Sequence, residues 1–412
     1  MPLYVGVSTI LKPMKALVKK EYILPFILIT SLFFMWGAAH SILDVLNKHF
    51  QISMEGMTRT YSAMVQVMFY LGYFVMAIPA GIMIDRYGYR TGVVIGLLLY
   101  GFGALLFWPG ASIMSFQFFL VSLFIIACGL VFLETAANPY ITELGDKETA
   151  ASRLNLAQSM NGLGCIFGPL LGGYVLFSKQ IEANIAQPYI IMGTMALLVA
   201  LIFTRVRLPE IAHNEETEEE KDHSHAIRKL FSNKAFVFGL AALFSYEISE
   251  ISINSFFINY ATDSEIMTPR DASIALSIGG LGLFMLGRIL GSVVMQHIAS
   301  DKVLHFCAYG TVICTLLIIL DLGFVSLMGL IAVYVFESIM FPTIFALALR
   351  NVHGLTKRAS SLLMMSPLGG AVGPLCMGAV ADAFDMSKAF IIPFLGYVVV
   401  LSYTFFLKKT AK

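Results

Sequence analysis

Five carboxylates stand in stretches otherwise too apolar to carry a charge: Asp44, Glu134, Glu247, Glu250 and Glu337. A carboxyl group can bind and release a proton, and its two oxygens can accept hydrogen bonds in pairs from a ligand covered with hydroxyls. His40 precedes Asp44 by one helical turn, so the two share a helix face. Its imidazole there either tunes the acid, meets a ligand or simply lines a cavity. Gln158 and Asn161 also share a face, and their amides both donate and accept; the competing role is hydrogen bonding between helices. Glu247 and Glu250 form a third such pair. Arg288 holds its proton and needs a counter-charge, for which Glu337 and Glu250 are the candidates, in a pairing more structural than functional. Trp36 offers an aromatic face for stacking on a ring, or for packing. Tyr246, Asn254 and Asn259 are further candidates to line a polar path. No nucleophile–base set, metal-ligand cluster or phosphate-binding loop accompanies these residues, which argues against an enzyme. The five cysteines, Cys128, Cys165, Cys307, Cys314 and Cys376, read as small apolar residues without disulfides.

The elements that must position these groups follow from composition. The chain of 412 residues is 58% hydrophobic and only 13% charged, with a mean hydropathy of +0.80. Soluble domains are about a quarter charged, so too few charges are present to coat a water-facing surface. Lipid is the alternative solvent. A helix needs about 20 mostly apolar residues to cross it, and such runs lie near 22–46, 60–84, 92–112, 115–143, 154–177 and 188–206, then near 236–261, 272–299, 303–321, 325–350, 359–383 and 388–407. The first run reads as a retained helix rather than a cleaved signal peptide. The expected fold class is therefore all-α, with twelve transmembrane helices. An ionised acid at the centre of a bilayer costs about 3 kcal/mol or more, so each acid above should face a cavity or a partner. Asp321 falls at a helix end and reads as hydrated.

Charge bias tests the count. With both termini cytoplasmic, only Lys48, Arg59, Lys179, Arg270 and Lys388 of the 27 lysines and arginines fall outside, and Arg288 is left within a helix. One miscounted helix would scramble that bias. The single strongly charged stretch, 207–234 with EETEEEKDHSH at its core, reads as a hydrated cytoplasmic linker between two six-helix halves, 1–206 and 235–412. His223 and His225 beside its glutamates suggest weak metal binding at most. The halves repeat each other: Leu71-Gly72-x-Phe74 returns as Leu281-Gly282-x-Phe284, Glu134-x4-Pro139 as Glu337-x4-Pro342, and Gly168-Pro169 as Gly373-Pro374. Parallel repeats of this kind place a site near the bilayer midplane between the halves, exposed to each side in turn by rocking.

After the second helix, Gly81-x3-Asp85-Arg86-x-Gly88-x-Arg90 resembles the loop signature of the major facilitator superfamily, with Tyr89 where a basic residue is usual. The segments FFMWGAAHSILDVLN, FLETAANPYITELG, SRLNLAQSMN and FPTIFALALRN narrow the resemblance to its fucose–galactose–glucose:proton symporter family. The resemblance implies a pseudo-symmetric carrier for a monosaccharide and protons. It implies proton binding coupled to sugar at Glu134, protonation and cavity gating at Asp44, and sugar contacts at Gln158 and Asn161, with Trp36, His40 and Glu250 as further sugar-binding candidates. Asp85, Arg86 and Arg90, with Arg288 and Glu337, are expected to be gating or structural charges. The fucose branch carries asparagine at His40 and glutamine at Glu250. The glucose and galactose branch resembles this chain at Glu250 but has glutamine at Glu134, so the sugar stays open between L-fucose and a related hexose. Protons as coupling ion and no other cofactor are expected, with sugar and lipid as partners, no nucleic acid, and a monomer in a bacterial inner membrane. A passive facilitator, a drug exporter and a nutrient sensor are the alternatives. The polar set at Glu134, Gln158 and Asn161 argues against the exporter, and the short linker against the sensor.

Overall fold

The computed structural model describes residues 18, 20–144, 150–177, 185–206, 223–263, 267–295, 298–350, 352, 359, 362–363 and 365–410. Among these there is no strand. Eleven helices are long and apolar enough to cross a membrane: α1 (Ile23–Ser53), α2 (Arg59–Ile84), α3 (Arg86–Ile113), α4 (Phe116–Asn138), α5 (Leu156–Leu176), α6 (Ala186–Arg205), α7 (Lys234–Asp263), α8 (Pro269–Gly291), α9 (Ser300–Ile319), α10 (Phe324–Leu349) and α12 (Met386–Lys409). Between the last two lies α11 (Gly369–Ala383), only 15 residues long and preceded by a 3-10 turn at Ser366–Leu368. Of the expected 359–383 helix, residues 360, 361 and 364 lie outside the described residues. Helix α1 runs on to Ser53 instead of ending near residue 46. Its extra turns are held by protein contacts, since Asn47 donates to the Ser255 carbonyl at 3.0 Å and Phe50 is buried. The linker departs from expectation: residues 207–222 lie outside the described part, but His223–Ser232 is a helix with Leu230 buried.

Helices in lipid gain little from hydrophobic burial and associate through close packing and polar contacts, which favours small residues where backbones meet. That rule accounts for the halves. On α5, Gly164 abuts the Phe34 backbone of α1, and Gly168 abuts Ala38 and Ser41; Gly37 of α1 abuts Asn161 in return. On α11, Gly369 abuts Phe244 and Glu247 of α7, while Gly373 abuts Ile248 and Ser252. The repeat seen in sequence is thus a repeated helix pair, α1 on α5 and α7 on α11.

Two helices are irregular. Helix α8 has a π-helical turn at Ala275–Leu281, where the Ser277 hydroxyl donates to the Ile166 carbonyl of α5. Helix α10 breaks after Glu337 and restarts at Met340. Pro342 lies just past the break; it lacks the N–H that would bond the carbonyl four residues earlier, that of Ser338.

At the end that the charge bias assigns to the outside, the halves are latched. The Arg59 guanidinium binds the Asp263 carboxylate and the Ala381 carbonyl, and Lys48 lies 3.6 Å from Asp263. Asp382 accepts from the backbone N–H groups of Arg59 and Thr60 at 3.0 and 2.8 Å and from the Thr60 hydroxyl at 2.6 Å. Just beneath, Gln51 bonds Asn259. The hairpin that follows Met57-Thr58 rests on Gly378 of α11. Its repeat, after Met267-Thr268, rests on Gly173 of α5 through Ser273, with Arg270 over the Tyr174 ring at 5.6 Å. A side chain at either glycine would collide with the opposite hairpin. Gly378→Val or Gly173→Val, on a cysteine-free background carrying Ser255→Cys, should therefore raise labelling by an impermeant maleimide from outside. Unchanged labelling in both would show that the hairpins do not close this end.

Candidate functional site

Helix α1 directs Trp36, His40 and Asp44 along one face, one turn apart, and α2 answers with Tyr73, Tyr70 and Gln66. The Trp36 indole N–H donates to the Tyr73 hydroxyl. His40 Nε2 lies 2.5 Å from the Tyr70 hydroxyl. Gln66 Nε2 donates to Asp44 Oδ1 at 3.2 Å. These three rungs join two antiparallel helices by side chains alone. Asp44 is nearly sealed, whereas Trp36, His40 and Tyr73 are half-buried.

Trp36 and Glu134 meet in a small cleft between α1 and α4, closed by Leu32, Phe33, Leu133 and Ala137. Glu134 is half-buried there, beside an aromatic face that the Tyr73 bond holds in place. Asn138, one turn beyond, interacts with that carboxyl and accepts a hydrogen bond from Gln158 at 3.4 Å. Gln158 therefore joins the Glu134 wall. Asn161, 8% exposed, lies beneath Gly37 and donates to the Phe33 carbonyl at 3.3 Å, so in this structure its amide joins α5 to α1.

Across the interface, Glu250 is half-buried and Glu247 buried, both in electrostatic contact with Arg288. No ion pair within 4 Å joins Arg288 to Glu250 or Glu337, contrary to the pairing expected from charge. Its Nε instead donates to the Ser338 carbonyl at 3.2 Å, and the guanidinium lies 4.7 Å over the Phe284 ring. Ser338 is the acceptor that Pro342 leaves free, so Arg288 satisfies the broken helix. Glu337 is fully sealed: one oxygen accepts from Tyr397, its backbone carbonyl accepts from Tyr246 at 3.3 Å, and Oε1 has no partner among the described residues. Tyr246, Asn254 and Asn259 are buried in helix contacts, the last two bonded to Tyr334 and Gln51.

The α2–α3 loop is structural in its visible part. Gly88 sits at φ +82°, a region open chiefly to glycine. Arg90 caps the end of α6 by donating to the Phe203 carbonyl at 3.0 Å and to that of Thr204, as a cation suits a helix C-terminus. Arg86 is exposed against Tyr87. The side chain of Asp85 lies outside the described residues.

Gln66, Tyr70, Tyr73 and Asn138 were not singled out from sequence. The first three fall one helical turn apart on α2, the signal that would have found them. The sealed Glu337 yields a test. Tyr397→Phe removes the hydrogen bond to its carboxyl and should cost about 1–3 kcal/mol, read as a lower thermal-unfolding midpoint in detergent. An unchanged midpoint would mean the carboxyl finds another partner.

Comparison with known proteins follows the same lines. The Major Facilitator Superfamily profile matches residues 25–366. The chain is 35% identical over 420 residues to the L-fucose-proton symporter of Escherichia coli (strain K12), covering 95% of each. It is 33% identical over 396 residues to a glucose/galactose transporter of Brucella abortus, covering 93% of this chain and 94% of that one. A crystal structure of the transporter FucP in the outward conformation superposes with a TM-score of 0.71 at 33% identity, over 94% of this chain and 99% of that one.

Proposed function

The chain belongs to the major facilitator superfamily, in the branch of the fucose and glucose/galactose carriers, and we propose that it takes up a monosaccharide together with protons. The observation that carries this reading is the cleft where Trp36 and Glu134 meet. A sugar offers a C–H face to an aromatic ring and hydroxyl donors to a carboxylate. One carboxyl group can serve both ligands, because protonation converts an acceptor-only group into one that also donates. Asp44, bonded to Gln66 two rungs along the same ladder from Trp36, is the second proton-binding group and gates the cavity. The membrane potential supplies the drive, about 2.3 kcal/mol per charge per 100 mV.

Transport proceeds by alternating access between the halves 1–206 and 235–412, joined by 207–234. The latch at Arg59, Asp263 and Asp382 closes one end, while the solved relative is outward; together they support a cycle in which these hairpins part. The protein works as a monomer in a bacterial inner membrane with both termini in the cytoplasm. L-fucose or a related hexose is the substrate. Glu250, where this chain resembles the glucose and galactose carriers, makes that reading the second choice.

Reconstituted protein should exchange one sugar of a panel of fucose, galactose, glucose, mannose and arabinose, and should accumulate it uphill unless a protonophore is added. Glu134→Gln should abolish accumulation. Proton-driven uptake at the unsubstituted rate in that variant would refute the coupling role, and protonophore-resistant transport would identify a passive facilitator.

A further inference from the structure

His40 is surrounded in a way that a spacer would not need. Its ring lies among three aromatic neighbours, Trp36 at 6.3 Å and Phe69 and Tyr70 at 5.8 Å between centroids, the last two edge-on. One nitrogen, Nε2, is bonded to the Tyr70 hydroxyl. The other, Nδ1, has no hydrogen-bond partner among the described residues, and it is absent from the polar atoms that are sealed and unbonded. The atom is therefore not sealed, and it stands one turn from Trp36, which lines the Glu134 cleft, and one turn from Asp44. The hydrogen bond at one imidazole nitrogen determines which tautomer the other presents. Tyr70 is itself fixed: a side chain at Gly370 of α11 would lie 2.6 Å from Cε2 of its ring, so the phenol is wedged between the halves.

We infer that Tyr70 is a positioning residue that holds His40 with Nδ1 offered to one sugar hydroxyl, and that this pair sets which stereoisomer is carried. The inference rests on the monosaccharide reading and adds the group that discriminates among sugars. A rigid ring presenting one polar atom rejects an epimer whose hydroxyl points away, because that atom then stays unpaired in a poorly hydrated cavity.

Side-chain geometry provides the test. Asparagine places its amide where Nδ1 stands but does not reach Tyr70. Glutamine reaches the position of Nε2 but leaves the cavity atom missing. In counterflow with the sugar panel, His40→Gln should raise KM for the preferred sugar about tenfold, the loss of one hydrogen bond, flatten the ranking of sugars and leave Vmax intact. His40→Asn should keep KM nearer the unsubstituted value and keep the ranking. Tyr70→Phe, which retains the ring against Gly370, should raise KM in the parent but not in the His40→Asn background, since the two act as a unit. A normal KM and ranking in His40→Gln overturns the inference, as does a Tyr70→Phe effect of the same size in both backgrounds, which would mark a packing role. If the unsubstituted protein exchanges no monosaccharide, the function proposed above falls and takes this inference with it. If it exchanges one and His40→Gln is unaffected, this inference alone falls.

Discussion

Helix α1 can turn Trp36, His40 and Asp44 toward α2 and α4 because α5 lies at backbone distance on another side. Gly164 and Gly168 leave no room for even a methyl group between the two helices. In lipid this approach substitutes van der Waals contact for the hydrophobic gain that a soluble core would enjoy. It also fixes the rotation of α1 about its axis. A helix that could roll would carry His40 away from Tyr70 and Asp44 away from Gln66. The polar ladder therefore depends on a contact made on a different face, to which Asn161 also contributes.

The repeat gives each half an acid followed by a proline, Glu134 with Pro139 and Glu337 with Pro342, yet the two acids have diverged. Glu337 is sealed behind Tyr397 and Tyr246, in surroundings that let no ligand approach. Glu134 stays half-open beside Trp36. Equivalent positions in the two halves thus differ: one carboxyl is sealed among tyrosines of the C-terminal half, the other is left half-exposed. Arg288 looked like a counter-ion, but the break at Ser338 presents a carbonyl without a partner, and a guanidinium with several donors answers it.

The fold was readable because the bilayer imposes a length and a polarity on every span, and eleven of the expected helices have both. The acids were readable for the same reason, since a charge in hydrocarbon stands out. What escaped were groups whose types are unremarkable in a membrane helix. Tyr70 and Tyr73 look like packing aromatics until α1 is placed opposite, and Asn138 gains meaning only through Gln158. Residue type could not tell which group an amide bonds: that Gln158 reaches a side chain, Asn138, and Asn161 a backbone carbonyl was not legible. Arg288 differs again: Glu247 and Glu250 act on it without an ion pair within 4 Å, and the group within hydrogen-bond reach is the carbonyl that Pro342 frees at Ser338.

The latch shows which forces can hold a gate that must also open. Its ion pairs, Arg59 and Lys48 with Asp263, lie at a partly exposed end, where such pairs contribute about 0–1 kcal/mol each. Water can replace them as the halves part, so they impose little barrier. The fit of each hairpin on a glycine, Gly378 and Gly173, is of another kind, because a close-packed contact is lost over a fraction of an ångström. The charges give direction and register, drawing Arg59 to the ends of α7 and α11, while the glycine seats decide whether the end is shut. The second hairpin supports this division: it has no ion pair to α5 among the described residues and meets it through the Ser273 seat and the Arg270–Tyr174 contact.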